Sequence, residues 1–127
     1  MIVKAADLKA GALPGRMSAD PFGRLDDAGL SMRVVEVASG ERSPHRHPLS
    51  YEAMFVVRGS GHLWENGRVY RVEPGDCILI PRDVPHVTLP DDGGDMTLVC
   101  FFPHSDLASN LQELQGTIDL TGGGTPT

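Results

Sequence analysis

From Leu30 onward the chain alternates short apolar runs with glycine- and proline-rich breaks, a texture that predicts strands and turns. Met32 to Val37 is β-branched and bounded by Gly29 and Gly40. Glu52 to Val57 is a nearly continuous apolar run closed by Gly59, and Gly61 to Trp64 and Val69 to Val72 flank Asn66-Gly67. Asn-Gly between two such runs is a strong hairpin signal, because both central turn residues must take positive φ. Pro74-Gly75-Asp76 turns the chain into Cys77 to Ile80, and Pro81 and Pro85 bracket a loop before an extended His86 to Leu89. Asp91 to Gly94 then turns it into Met96 to Phe102. About eight short strands at turn spacings of roughly 8–12 residues predict an all-β sandwich or barrel.

The ends have a different texture. Residues 1–29 carry Gly11, Pro14, Gly15, Pro21, Gly23 and Gly29, which predicts an irregular segment packed on the barrel or on a partner subunit. Within it, Ile2 and Val3 are candidates to start a short strand. After a barrel over 30–104, Ser105 to Leu114 places apolar residues at 107, 111 and 114, with Ser105 as N-cap and Gly116 as stop. That pattern predicts a short C-terminal helix over 105–116, followed by a flexible tail over 117–127.

Composition narrows the function classes. A chain of 127 residues and 13.6 kDa suits one domain. Its net charge of −6 disfavours nucleic acid, and Arg42, Arg46 and Arg58 are too scattered to form a basic patch. Cys77 and Cys100 lie in apolar stretches and read as small buried hydrophobes in a reducing compartment. With neither a signal-peptide pattern at Met1–Asp7 nor an apolar run approaching about 18 residues, the expectation is a cytoplasmic protein with no membrane association.

Four residues are candidates for chemistry. His45 and His47 stand at i and i+2, which on a strand puts both imidazoles on one face about 6–7 Å apart along the backbone. Glu52 follows across a bend, and His86 comes from another strand after the proline-rich loop. Three imidazoles and a carboxylate suit Fe, Mn, Ni, Co or Zn better than Ca or Mg. Taken singly, the bland readings stand: a coincidental His-x-His, a strand carboxylate paired with an arginine, and a histidine in a turn. Glu52 weighs against them, because a carboxylate opening an apolar run is costly unless paired or metal-bound.

The stretch from Gly40 to Gly59 (G-ERSP-H-R-H-PLSY-E-AMFVVR-G) resembles the first motif of the cupin superfamily. Gly75 to His86 (G-DCILI-P-R-D-VP-H) is similar to the second, and the hairpin lies between them. Three positions depart from the usual pattern: Gly40 is one residue nearer His45, Asp83 replaces a common glycine, and Pro90 stands where many members have asparagine. The resemblance implies a small single-domain protein with a double-stranded β-helix, or jelly-roll, barrel. It also implies one divalent transition metal held by His45, His47, Glu52 and His86. Strand parity then makes Met54, Val56 and Thr88 pocket-wall candidates.

Of the activities found among such proteins, dioxygenase, isomerase, lyase and cyclase chemistry on a small oxygen-bearing metabolite fit best. The chain has no second barrel copy, as two-domain oxalate enzymes do, and carries Met54 where the dimethylsulfoniopropionate lyases have tyrosine. A complete ligand set also weighs against the metal-free sugar epimerases. The alternative is a non-catalytic module that binds a sugar or small metabolite around a structural metal. Tyr51, Arg33 and Glu36 are the only further acid–base candidates, and His62 and His104 read as a surface side chain and a helix cap. Trp64 and Tyr70 read as a cross-strand aromatic pair. The apolar strands predict a homodimer formed through a barrel face.

Overall fold

The computed structural model describes residues 1–118 and 120, and strands dominate it. They are β1 (Ala10–Leu13), β2 (Arg16–Ala19), β3 (Ser31–Ala38), β4 (His45–Arg46), β5 (Glu52–Arg58), β6 (Gly61–Glu65), β7 (Arg68–Val72), β8 (Cys77–Ile80), β9 (His86–Pro90), β10 (Asp95–Phe102) and β11 (Gln112–Glu113). They form a six-stranded sheet in the order β1-β2-β3-β10-β5-β8 and a five-stranded sheet in the order β11-β4-β9-β6-β7. Every pairing is antiparallel.

The alternation in the sequence sets which side chains face inward. In β5, Glu52, Met54 and Val56 are buried while Ala53, Phe55 and Val57 are exposed. Cys100 lies opposite Met54 and Leu98 opposite Val56, and these join Val35, Val37, Leu63, Val72, Ile78, Ile80, Met96 and Phe102 in one core shared by both sheets. Asn66 and Gly67 take φ of 47° and 91°, as the hairpin requires. Asp83 takes φ of 66°, the left-handed conformation that explains why a glycine is common there.

The N-terminal segment is not irregular throughout. A 3-10 turn at Ala5–Asp7 replaces the strand expected at Ile2-Val3, and β1 and β2 form a hairpin turned at Pro14-Gly15. The hairpin joins the larger sheet where Arg16 pairs with Val37 and Ser18 with Val35. Short strands of small residues such as Ala-Gly-Ala-Leu carry little intrinsic β signal, and here the open edge of β3 supplies it.

The C-terminal helix expected over 105–116 is absent. The segment makes only a 3-10 turn at Ala108–Asn110 and then extends into β11, which pairs with β4. A helix that short is marginal on its own, whereas extension satisfies the β4 backbone. Leu107 is buried in the core and Leu111 packs against it, so the apolar spacing reports burial without helicity. Asp106, not Ser105, caps the turn by accepting from the Ala108 and Ser109 amides at 3.2 and 3.3 Å. His104 lies beside it, its Nδ1 3.1 Å from the Asp106 amide.

Two further expectations change. Leu63 is opposite Tyr70 and Trp64 opposite Val69, so the two aromatic rings lie on opposite faces of the hairpin. Cys77 is exposed and only Cys100 is buried; both are free thiols. No helix among the described residues is long and apolar enough to cross a membrane. Of the tail expected to be flexible over 117–127, residues 119 and 121–127 lie outside the described residues.

Candidate metal centre

β4, β5 and β9 bring the four candidate ligands together. His45 is directly opposite His86 in the β4–β9 pair, His47 follows β4 on the same inner face, and Glu52 opens β5. All four are buried, and one ligand atom from each lies within 4.8 Å of every other. Metal–ligand bonds of about 2.0–2.2 Å place donor atoms on one ion roughly 3–4.4 Å apart, so a span of 4.8 Å comes within a few tenths of an ångström of what a single cation needs.

The hydrogen bonds behind the rings fix their orientation. His47 Nδ1 donates to the Asn110 carbonyl at 2.8 Å, and His86 Nδ1 donates to the Val84 carbonyl at 2.9 Å. A carbonyl only accepts, so each Nδ1 carries its proton and each Nε2 points its lone pair inward. Both Nε2 atoms then meet the same carboxylate oxygen, Glu52 Oε1, at 3.1 Å from His47 and 2.9 Å from His86. His45 Nδ1 and His47 Nε2 are buried without a hydrogen-bond partner. Lone pairs converging on one point in a dry interior repel unless a cation or proton lies between them, so the donor set fits a metal.

Electrostatics favours the ligand-ready protonation states. Burial lowers the His45 pKa well below 6.5, with repulsion from His86 and Arg16 adding to it, so His45 is neutral at pH 7. Burial pushes the Glu52 carboxyl up, but in metal-free protein hydrogen bonds in which a proton lies between its oxygen and the His47 and His86 Nε2 atoms outweigh it and hold the group well below the carboxylate range. In metal-free protein the unfolded chain therefore takes up protons first at both positions. Stability at His45 falls as pH drops below its unfolded value of 6.5, and the Glu52 contribution, complete above 4.5, falls as pH drops further. Thermal melts of chelator-treated protein should show Tm declining from near pH 6.5 and more steeply below pH 4.5; a flat profile across both values contradicts this.

Met54 and Thr88 line the cavity beside the cluster, whereas Val56 lies in the core behind it. Arg33 lines the cavity as well. Tyr51 and Glu36 do not; Tyr51 is 49% exposed, and Glu36 binds Arg58 and Thr97 at the surface.

Three residues here carry no signal in the sequence. Arg16 and Arg42 also line the cavity, and Asn110, fully buried, ties the C-terminal segment to the cluster. Besides its carbonyl contact to His47, its Oδ1 accepts from the Leu49 amide at 2.7 Å and its Nδ2 donates to Ser50 Oγ at 2.8 Å. The loop joining His47 to Glu52 is thereby held.

A jelly-roll barrel with three histidines and a glutamate on its inner wall defines the class of protein. Residues 33–102 match the Cupin domain family, and the chain belongs to that family. Germin-like protein subfamily T member 2 of Arabidopsis thaliana is 37% identical over 71 residues, which are 51% of this chain and 32% of that protein. The chain thus spans about a third of the length of the curated relatives it matches. The polyketide cyclase RemF from Streptomyces resistomycificus aligns over 80% of this chain and 78% of its own, with 25% identity and a TM-score of 0.66. The oxalate decarboxylase of Lactobacillus farciminis, solved as a formate complex, covers 86% of this chain and 34% of its own at 20% identity, with a TM-score of 0.70.

Proposed function

We propose that the chain is a metal-dependent cupin enzyme acting on a small oxygen-bearing metabolite, with dioxygenase, isomerase, lyase or cyclase chemistry. The observation that carries the reading is the convergence of two oriented imidazole lone pairs and one carboxylate oxygen, with His45 alongside, in a buried cavity. His45, His47, Glu52 and His86 would hold one Fe, Mn, Ni, Co or Zn ion. Such an ion leaves positions open for substrate oxygen, polarises a carbonyl or lowers the pKa of a hydroxyl, and exchanges electrons if it is Fe or Mn. Asn110 and Val84 keep two of the rings aimed, and Leu13, Leu98, Phe102 and Leu107 give the cavity apolar walls that exclude water.

A second reading rests on the same wall. Beyond the four ligands, only Cys100 and the arginines among the titratable residues line the cavity, and burial raises the Cys100 thiol well above its ordinary range. A binding module that takes a sugar or small metabolite around a structural metal needs no proton-transfer group. Oxygen uptake by the Fe(II) protein across enediols, flavonols and β-diketones separates the readings, together with assays for isomerised, cleaved or cyclised products. Turnover of any substrate supports the enzyme, and saturable binding without turnover supports the module.

We also propose a homodimer. The outer face of the six-stranded sheet exposes Met17, Phe55, Val57, Leu79 and Phe101, an apolar surface suited to a second copy. Light scattering should give twice 13.6 kDa, and Phe55→Glu should give a monomer. A monomeric wild-type protein rejects the dimer. Two free thiols, one of them exposed, support a reducing, cytoplasmic setting.

A further inference from the structure

The chain is acidic outside, with a net charge of −6, yet its cavity is cationic. Arg16, Arg33 and Arg42 all line it, and Glu52 is the sole carboxylate among the described lining residues. Arg16 is answered by Glu113, whose Oε1 lies 2.9 Å from its Nη2. Arg33 has weaker contacts, 3.4 Å to Ser18 Oγ and 3.7 Å to Asp20 Oδ2, and its Nε is buried without a partner.

Arg42 is the least satisfied of the three. It is 4% exposed, and its Nη1 donates to the Thr88 carbonyl at 2.7 Å and to the Thr88 hydroxyl at 3.3 Å. Its Nε and Nη2 are both buried with no partner among the described residues. Burial, with repulsion from Arg16, brings its pKa down to about 10, so the group is still charged at pH 7. Attraction to Glu113, itself paired with Arg16, offsets this only in part, and an anion in the cavity would lower the cost of burying the guanidinium.

The geometry of the unused donors is selective. Nε–H and Nη2–H lie side by side on one edge of the planar guanidinium, at the spacing of the two oxygens of a carboxylate. Nη1, on the other side, is held by Thr88, two residues after His86 on β9. Gly15 in the β1–β2 turn packs on the Arg42 stem: a Cβ there would sit 2.7 Å from Nε and 3.1 Å from Cδ and Cγ. The cavity offers about 30 Å³, which restricts it to small ligands.

We propose that the Nε–Nη2 edge of Arg42 anchors the carboxylate of a small organic acid, whose remaining oxygens face His45, His47, Glu52 and His86. This names the ligand class for the site and rests on the metal-centre reading above. Arg33 adds a second positive charge to the same cavity.

The test uses metal-loaded full-length protein, with metal content measured for each sample and ligand binding followed by calorimetry and thermal shift. The probes are formate, glycolate, pyruvate and malonate, each with its neutral amide. At least one acid should bind, its amide at least tenfold more weakly. Arg42→Gln should weaken the acid at least tenfold while keeping its metal, and Arg42→Lys, which keeps the charge but not the fork, should fall between. Equal binding of acid and amide, no binding of any acid, or an Arg42→Gln protein that binds like wild type overturns the anchor. Binding of inorganic phosphate in preference to every carboxylate does the same. If Arg42→Gln does not fold, the acid–amide comparison on wild type still decides. Metal-free protein that cannot be loaded, yet binds acids through Arg42, sinks the metal-centre reading and leaves the anchor standing.

Discussion

Replacing His47 with alanine is expected to take bound transition metal from about one equivalent per chain to almost none, because each lost ligand removes much of a site's affinity. The effect should be larger here than at an exposed site. His47 is 3% exposed, its Nδ1 proton is committed to the Asn110 carbonyl, and its Nε2 already faces Glu52 Oε1 at 3.1 Å. The ring also packs edge-on against Phe102 with centroids 4.7 Å apart. Mass spectrometry of tag-free protein, with circular dichroism to show that the fold persists, makes the measurement. A folded His47→Ala protein that keeps its full metal complement would falsify the site.

Adding one methyl group at Gly59 or Gly61 is expected to be still more damaging to the fold. A Cβ at Gly61 would lie 2.2 Å from the Leu89 carbonyl oxygen and 2.7 Å from Pro90 Cα; at Gly59 it would lie 1.9 Å from the Asp95 carbonyl oxygen. In both cases the obstacle is the backbone of a paired strand, β9 or β10, which cannot swing aside as a side chain would. Gly59 also takes φ of 81°. Each alanine should cost more than about 4 kcal/mol, enough to lower Tm by more than about 10 °C or prevent soluble expression. Gly67→Ala is the control: nothing lies within 4 Å of its Cβ, so only its φ of 91° is opposed, at about 1 kcal/mol. Near-normal melting of both Gly59→Ala and Gly61→Ala would show that the strands are not packed as described.

These glycines show what the sequence could and could not disclose. Gly59 closes the first cupin motif, so its position was legible, but its reason, contact with a strand more than thirty residues later, was not. The strands from Met32 to Phe102 were legible because a two-residue alternation of burial leaves a direct trace in composition. The His-x-His pair was legible for the same reason.

What escaped depends on partners distant in the chain. The β1–β2 hairpin needs the edge of β3, and β11 needs the edge of β4, so local pattern suggested coil for one and helix for the other. Trp64 stands two residues before Asn66 and Tyr70 three after Gly67, and that one-residue difference places them on opposite faces. Arg33 was a candidate by residue type alone, and Arg16 and Arg42 carry no sign in the sequence that the folded sheets turn them toward the cavity.

The strand order carries a consequence for how the molecule assembles. β10 lies between β3 and β5, so the middle of the larger sheet is filled by the last of the long strands to be synthesised. On the ribosome β3 and β5 emerge with no neighbour to join them, and the barrel closes only when residues 95–102 have left the exit tunnel. Folding is then governed by closure of long loops, the regime of milliseconds to seconds.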